Sequence, residues 1–157
     1  MSNLAATDGP DTLNGTRNDD TIGGMRGSDK INGKAGDDFL TGGRPGSTDI
    51  PDHDTIKGGN GNDTLKGGRD NDSLNGGSGN DSLDGESGDD KLRGARGDDT
   101  LKGGDGADKF IIDDRDANRE SNHDVIVDLR LSGAGDDDDK WDRLEGDDSL
   151  QLSLFRQ

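Results

Sequence analysis

The sequence predicts an all-β fold made of stacked short strands, and three observations carry that prediction. From Gly15 onward the chain repeats every nine residues. The sixth position of each unit is Asp: Asp11, Asp20, Asp29, Asp38, Asp54, Asp63, Asp72, Asp81, Asp90, Asp99 and Asp108. The eighth position is bulky and apolar: Leu13, Ile22, Ile31, Leu40, Ile56, Leu65, Leu74, Leu83, Leu92, Leu101 and Phe110. A fixed period with one acidic and one apolar mark per unit is the pattern of a repeat protein, in which each unit is completed by its neighbours.

The unit Gly58-Gly59-Asn60-Gly61-Asn62-Asp63-Thr64-Leu65-Lys66 shows the division of labour. The first six positions are glycine-rich and suit a tight turn with positive φ. Where position four is not Gly it is Asn18, Asp52 or Asp70, the residue types that best tolerate the left-handed region. Positions seven to nine suit a short strand, with Thr12, Thr21, Thr55, Thr64 and Thr100 at position seven. The position-eight side chain then points to one face and its neighbours to the other. One spacing fails: the interval from Asp38 to Asp54 exceeds a single unit and falls short of two. The excess over one unit lies within Gly42–His53, which holds Pro45 and Pro51. Pro cannot donate to a strand ladder, so the excess is expected to bulge out while the flanking strands keep register.

Composition sets the terms on which such a fold can exist. Of 157 residues, 23% are hydrophobic, 28 are Gly, and the formal net charge is −17. By itself this is the composition of a disordered chain, with little apolar surface and strong self-repulsion. A cation that cancels the repulsion and cross-links the turns reconciles composition with repeat. There is no Cys, hence neither disulfide framework nor thiolate site. No apolar run is long enough to span a membrane, Met1–Asp8 lacks the marks of a cleaved signal peptide, and the acidic balance argues against nucleic acid.

The pattern Gly-Gly-x-Gly-x-Asp-x-(aliphatic)-x, from Ala6 to Ile112, closely resembles the calcium-binding nonapeptide of the repeats-in-toxin (RTX) family. The resemblance implies a right-handed parallel β-roll, a β-solenoid with two nonapeptides per turn, followed by a C-terminal capping segment. Loops two units apart would then stack, Asp11, Asp29, Asp54, Asp72, Asp90 and Asp108 on one side and Asp20, Asp38, Asp63, Asp81 and Asp99 on the other. It implies calcium as cofactor, held between stacked loops by both position-six carboxylates and by main-chain carbonyls. The expected carbonyls are those of Gly58, Gly59, Asn60 and Gly61; Gly67, Gly68, Arg69 and Asp70; Gly76, Gly77, Ser78 and Gly79; Gly85, Glu86, Ser87 and Gly88; Gly94, Arg96 and Gly97; and Gly103 and Asp105. One loop offers too few oxygens for an ion that takes six to eight, whereas two stacked loops offer about six. Up to about nine ions would fit, and about eight bring +16 against the formal −17.

The chain is thus divided into an N-terminal tail (1–5), a roll (6–112, with an insertion within 42–53), and a cap with secretion signal (113–157). The last segment carries Val125-Ile126-Val127, the acidic run Asp136–Asp139, Trp141-Asp142-Arg143-Leu144 and Leu150–Ser153, and resembles the closing segment found after such repeats. An end cap is physically required, because an open roll exposes strand edges and core.

Other signals are weak. His53 and His123 are the only histidines, and no Gly-x-Ser-x-Gly elbow accompanies them. Asp136–Asp139 does not fit an EF-hand loop. No flat Thr array suggests ice binding. The reading is therefore a non-enzymatic, monomeric calcium-binding module that folds outside the cell. The resemblance implies secretion from a bacterium through a type I secretion system, with a polysaccharide as a further partner class. The alternative is the accessory C-terminal module of a secreted protease, lipase or alginate epimerase.

Overall fold

The computed structural model describes residues 3–43, 52–112, 123–129 and 143–145. Within them the chain consists of strands and turns, with no helix. The strands are β1 (Asn3–Ala5), β2 (Thr12–Asn14), β3 (Thr21–Met25), β4 (Lys30–Ala35), β5 (Phe39–Gly43), β6 (Thr55–Asn60), β7 (Thr64–Arg69), β8 (Ser73–Ser78), β9 (Ser82–Ser87), β10 (Lys91–Arg96), β11 (Thr100–Lys102), β12 (Lys109–Ile111), β13 (Val125–Ile126) and β14 (Arg143–Glu145). Successive strands alternate between two seven-stranded sheets, β1-β3-β5-β7-β9-β11-β13 and β14-β12-β10-β8-β6-β4-β2. Neighbours within each sheet are parallel.

This is the β-solenoid that a two-unit turn requires. Leu65 aligns with Leu83 and Leu74 with Leu92, each two units on. Across the insertion, Ile31 still aligns with Ile56 and Leu40 with Leu65, so the flanking strands hold register despite the longer intervening chain. Pro45 and Pro51 lie outside the described residues. The sheets also reach beyond the repeats. Asn3–Ala5, assigned to the N-terminal tail by sequence, is strand β1, with Leu4 in register with Ile22. From the C-terminal segment, Ile126 aligns with Leu101 and Leu144 with Phe110. Trp141, Asp136–Asp139 and Leu150–Ser153 lie outside the described residues.

The core is one residue wide per strand. Ile22, Ile31, Leu40, Ile56, Leu65, Leu74, Leu83, Leu92, Leu101 and Phe110 are each at most 2% exposed, and Leu13, Ile126 and Leu129 pack against them half-buried. Burial alternates along each strand, as in Ser73–Ser78, because side chains alternate between faces.

Position four is left-handed in most loops, as at Gly61, Gly79 and Gly97, with φ of 127°, 130° and 122°. Asp70, a non-Gly residue at this position, also has a positive φ of 65°, whereas Asn18 does not. Position two bends left-handed in most loops as well, even where it is not Gly: Met25, Lys34, Glu86 and Ala95 have φ of 79°, 85°, 72° and 84°. The first loop of each stack has Thr at this position, Thr7 and Thr16, and no positive φ is found there. A β-branched residue strongly resists that conformation, so these two loops take another path.

The outer faces differ in charge. Strands β2, β4, β6, β8, β10 and β12 carry Lys30, Lys34, Lys57, Lys91, Arg93, Arg96 and Lys109, and no Asp or Glu. On the opposite sheet, Lys66 and Lys102 are offset by Glu86 and Asp84 at 3.3 and 3.1 Å.

The stacked core makes a direct prediction. Leu74→Ala removes a side chain that is 1% exposed, and is expected to cost about 2–5 kcal/mol. Leu13→Ala, at a half-buried position of β2 near the end of its sheet, is expected to cost clearly less. Urea unfolding of both variants at one saturating calcium concentration gives the comparison.

Candidate metal centre

The position-six Asp residues form two ladders. In one, the backbone N–H groups of Asp11, Asp29, Asp54, Asp72 and Asp90 each donate to Oδ1 of the next Asp in the stack, at 2.7–2.9 Å. In the other, those of Asp20, Asp38, Asp63 and Asp81 do the same at 2.8 Å. Both stacks therefore contain the residues that a two-unit turn brings together, with the insertion absorbed between Asp29 and Asp54 and between Asp38 and Asp63.

Oδ1 is thus satisfied, and Oδ2 is not. In Asp29, Asp38, Asp54, Asp63, Asp72, Asp81, Asp90 and Asp99 the Oδ2 atom is buried and accepts no hydrogen bond. An unpartnered buried oxygen costs about 1–3 kcal/mol or more, and here one recurs in nearly every loop. Its surroundings add further acceptors. A Cβ placed on Gly67 would meet Asp72 Oδ2 at 2.5 Å and the carbonyl oxygen of Gly85, one turn on, at 2.7 Å. The carbonyls of Gly59 and Gly61 point the other way, onto Gly77 and Gly79 of the next turn. Carbonyls of positions two and four from one loop and of position one from the next thus face the same gap. The position-three carbonyls of Asn60, Ser78, Arg96 and Asp105 already accept an N–H from the preceding turn at 2.8–2.9 Å, and each retains a second lone pair. Among the described residues no three Asp, Glu, His or Cys side chains converge on one point, so a cation in these gaps draws on the main chain. Carbonyl oxygens converging on a buried carboxylate oxygen that accepts no hydrogen bond fit a hard, oxygen-seeking cation, which calcium is.

Two loops are different. Asp11 Oδ2 accepts the Thr7 N–H at 2.8 Å and its hydroxyl at 2.9 Å. Asp20 Oδ2 does the same with Thr16, at 2.5 and 2.9 Å. The threonines that keep these loops from the left-handed turn thus also occupy their carboxylates.

Two features escaped the sequence reading. Asp124 continues the second ladder, its Oδ1 accepting the Asp99 N–H at 3.1 Å. Its signal was present: Asp124 stands two residues before Ile126, the spacing of every repeat. The second feature is position five. Asp37, Asn62 and Asn80 accept N–H groups from the following turn, at 2.8–3.1 Å. Asn71 and Asp89 do so on the other side, where His53 Nδ1 accepts the Asn71 N–H at 3.1 Å. His53 and His123 are therefore loop residues of the ladder; His123 donates its N–H to Asp98 at 3.0 Å.

Burial raises the carboxyl pKa values along the stacks. From an ordinary 3.8, desolvation lifts Asp29 and Asp63 to about 6, Asp54, Asp81 and Asp90 to about 7, and mid-stack Asp72 to about 9. Asp124 rises to about 6 for the same reason. The hydrogen bond from the preceding turn opposes the rise, and neighbouring carboxylates reinforce it.

The crowding at position one can be tested directly. Gly67→Ala is expected to weaken calcium-dependent folding severalfold or more, because its methyl would enter the oxygen-lined gap. Gly23→Ala meets only Thr41 Cγ2 at 3.5 Å and is expected to change it little. Calcium titrations followed by circular dichroism compare the two. The raised pKa values carry a pH dependence of their own. Groups whose folded pKa exceeds the unfolded value take up protons on folding, so the cation-free roll is most stable below the ordinary range. It loses stability as pH rises from 3.8 through about 6 to 9. Acidifying a calcium-free sample from pH 9 to 4 is therefore expected to increase its β signal; a flat profile would show that the carboxylates do not control folding.

The comparisons with known proteins agree with this arrangement. A search of curated proteins finds no match. A profile described as the RTX calcium-binding nonapeptide repeat (4 copies) matches residues 5–40, 51–83 and 84–111. Those segments cover most of the chain and include every position-six Asp from Asp11 to Asp108, and by that match the chain belongs to the RTX calcium-binding repeat family.

Proposed function

We propose that this chain is a calcium-dependent folding module that acts outside the cell, with no catalysis of its own. One observation carries the reading: the row of buried Oδ2 atoms that accept no hydrogen bond, each beside carbonyl oxygens of the next turn. Calcium supplies the positive charge that lets these oxygens share one gap. The protein's part is to hold them. Position-two and position-four carbonyls reach up from one loop, position-one and position-three carbonyls reach down from the next, and the Asp of each loop faces the gap. Each interior Asp stands between two gaps and serves both. Asp99 with Asp124 forms a further gap of the same kind. Asp142 precedes β14 as Asp108 precedes β12; it lies outside the described residues.

Folding is then linked to calcium concentration, because the cation binds the stacked loops and not the open chain. In a cytosol poor in calcium the carboxylates repel and the chain stays extended. In this reading it leaves a bacterial cell through a type I system in that state, and folds on meeting millimolar calcium, the working range of extracellular modules. A second reading, the accessory module of a secreted enzyme, is favoured by the cationic outer face of the even-numbered strands, which suits a polymeric ligand.

Without calcium the chain is expected to be expanded and irregular, and at millimolar calcium compact and rich in β structure, by far-ultraviolet circular dichroism and hydrodynamic radius. A β signal that survives chelator at neutral pH would sink the coupling. Within that titration Asp81→Ala is expected to raise the calcium needed for folding by about tenfold, the scale of roughly 1.4 kcal/mol. Asp11→Ala is expected to raise it far less, since Thr7 already holds its Oδ2. Equal effects would contradict the shared-carboxylate arrangement.

A further inference from the structure

Among the described residues every buried charged side chain except Asp52 stands at position six of a repeat. Asp52 is 7% exposed, and its Oδ1 is buried and accepts no hydrogen bond. It belongs to the loop that carries the insertion. Gly42 is position one of that loop: a Cβ there would meet Asp54 Oδ2 and the Gly67 carbonyl, as one on Gly58 would meet Asp63 Oδ2 and the Gly76 carbonyl. Gly43 is position two and Asp52 position four, and residues 44–51 stand where a regular loop has one residue. In uninterrupted loops the position-four N–H donates to the position-three carbonyl one turn on: Gly36 to Asn60, Gly61 to Ser78, Gly79 to Arg96 and Gly88 to Asp105, at 2.8–2.9 Å. Gly27 is position four of the loop below the insertion, and its N–H is bonded to the Asp52 carboxyl instead. The Asp52 carboxyl therefore lies in the gap between the Asp29 and Asp54 loops. That gap already holds Asp29 Oδ2 beside the Gly42 carbonyl, and Asp54 Oδ1, which accepts the Asp29 N–H at 2.7 Å. Burial is the main cause that lifts Asp54 to about 7 and Asp29 to about 6, and the Asp52 carboxylate adds to both; at Asp54 it weighs more than Asp29 does.

We propose that Asp52 is a side-chain ligand for the cation held between the Asp29 and Asp54 loops, standing where other loops offer a position-three main-chain carbonyl. A neutral acceptor would serve the Gly27 N–H equally well and spare the cost of burying a charge. A carboxylate with one oxygen on that N–H and the other unpartnered suits a cation in the gap. The carboxylates of Asp29, Asp52 and Asp54 do not meet at one point; Asp52 takes a place that elsewhere belongs to the main chain. The ligand set of this gap thus carries one more negative charge than a gap between regular loops. Calcium affinity rises with the charge of the ligand set, so this gap is the tightest of its stack and the first to fill. The insertion, which interrupts the repeat, then marks the strongest site of the row. The inference rests on the calcium reading above and adds to it a residue outside the nonapeptide pattern.

The test uses the full chain, with calcium and europium(III) as probes. Asp52→Asn keeps an acceptor for Gly27 and removes only the charge. It is expected to weaken the tightest calcium step at least fivefold by calorimetry, while the β signal at saturating calcium stays unchanged. Asp70→Asn makes the same change at position four of the next loop, where Asp70 accepts the Asp52 N–H at 3.2 Å but is exposed; it is expected to change that step less than twofold. The excitation line of bound europium reports the charge of its ligands and needs no variant. In the unmutated chain it is expected to show one component with one more carboxylate than the rest, and Asp52→Asn to remove that component. Circular dichroism tests the calcium reading separately: an unmutated chain that gains no β signal with calcium sinks that reading. The ligand role is overturned if folded Asp52→Asn keeps the tight step, since Asp52 then serves only the Gly27 N–H. It is equally overturned if the two variants weaken the step alike, or if europium on the unmutated chain finds one uniform ligand charge. That last measurement decides the matter should Asp52→Asn fail to fold.

Discussion

The structure depends on one electrostatic constraint: carboxylates stacked one turn apart in a buried place. Each interior position-six Asp has one oxygen held by the N–H of the turn before and another that accepts no hydrogen bond. The same stacking that aligns the strands thus lines up negative charge in two rows. Burial drives the pKa values of these groups upward, most strongly at Asp72 in the middle of its stack. A proton or a cation relieves the rows, and a divalent cation also engages the surrounding carbonyls. In the proposed reading, that conflict is what ties the fold to its cation.

The apolar core does not resolve that conflict unaided. It contributes one buried side chain per strand, a single row between two sheets. What supplements it is a second set of ladders that needs no cation, the position-five side chains that accept N–H groups from the next turn. The position-six bonds are accepted from the preceding turn, so the two ladders run in opposite senses and tie each loop to both neighbours. At the first loops Thr7 and Thr16 take the place of the cation, capping Asp11 and Asp20 with a backbone N–H and a hydroxyl each. A stack that begins with a self-satisfied loop does not present an unpartnered carboxylate at its outermost turn.

The same regularity separates function over the surface. Acidic residues are concentrated in the turns, where oxygens are needed, and are absent from six strands of one sheet. Charge that looks like a bulk property of the chain is therefore local: calcium chemistry at the loop edges, and a cationic, amide-rich face between them. A β-solenoid makes this separation easy, because position in the repeat determines position on the surface in every turn.

The nine-residue period by itself determined the all-β fold, the apolar row and the phase of the Asp residues, and with the family resemblance it assigned each Asp to its stack. Those features are strictly periodic, and a constant repeat leaves few ways to superpose its units. It was also enough to place the insertion before Asp54 outside the strand register, since the repeat resumes in phase. What the tertiary structure decided is what breaks the period. Asp124 joins its ladder well beyond the regular interval after Asp99, too far for the count that found the others, although its spacing to Ile126 was in plain view. Position two, and not position four alone, proved to need the left-handed turn, because that requirement arises from the close approach of stacked loops, as where Gly77 meets the Gly59 carbonyl. The roles of Thr7 and Thr16, the direction in which each Asp oxygen points, and the sorting of charge between the two faces were set in the same way. Each depends on how the chain is wound, which brings together groups that the linear sequence keeps apart.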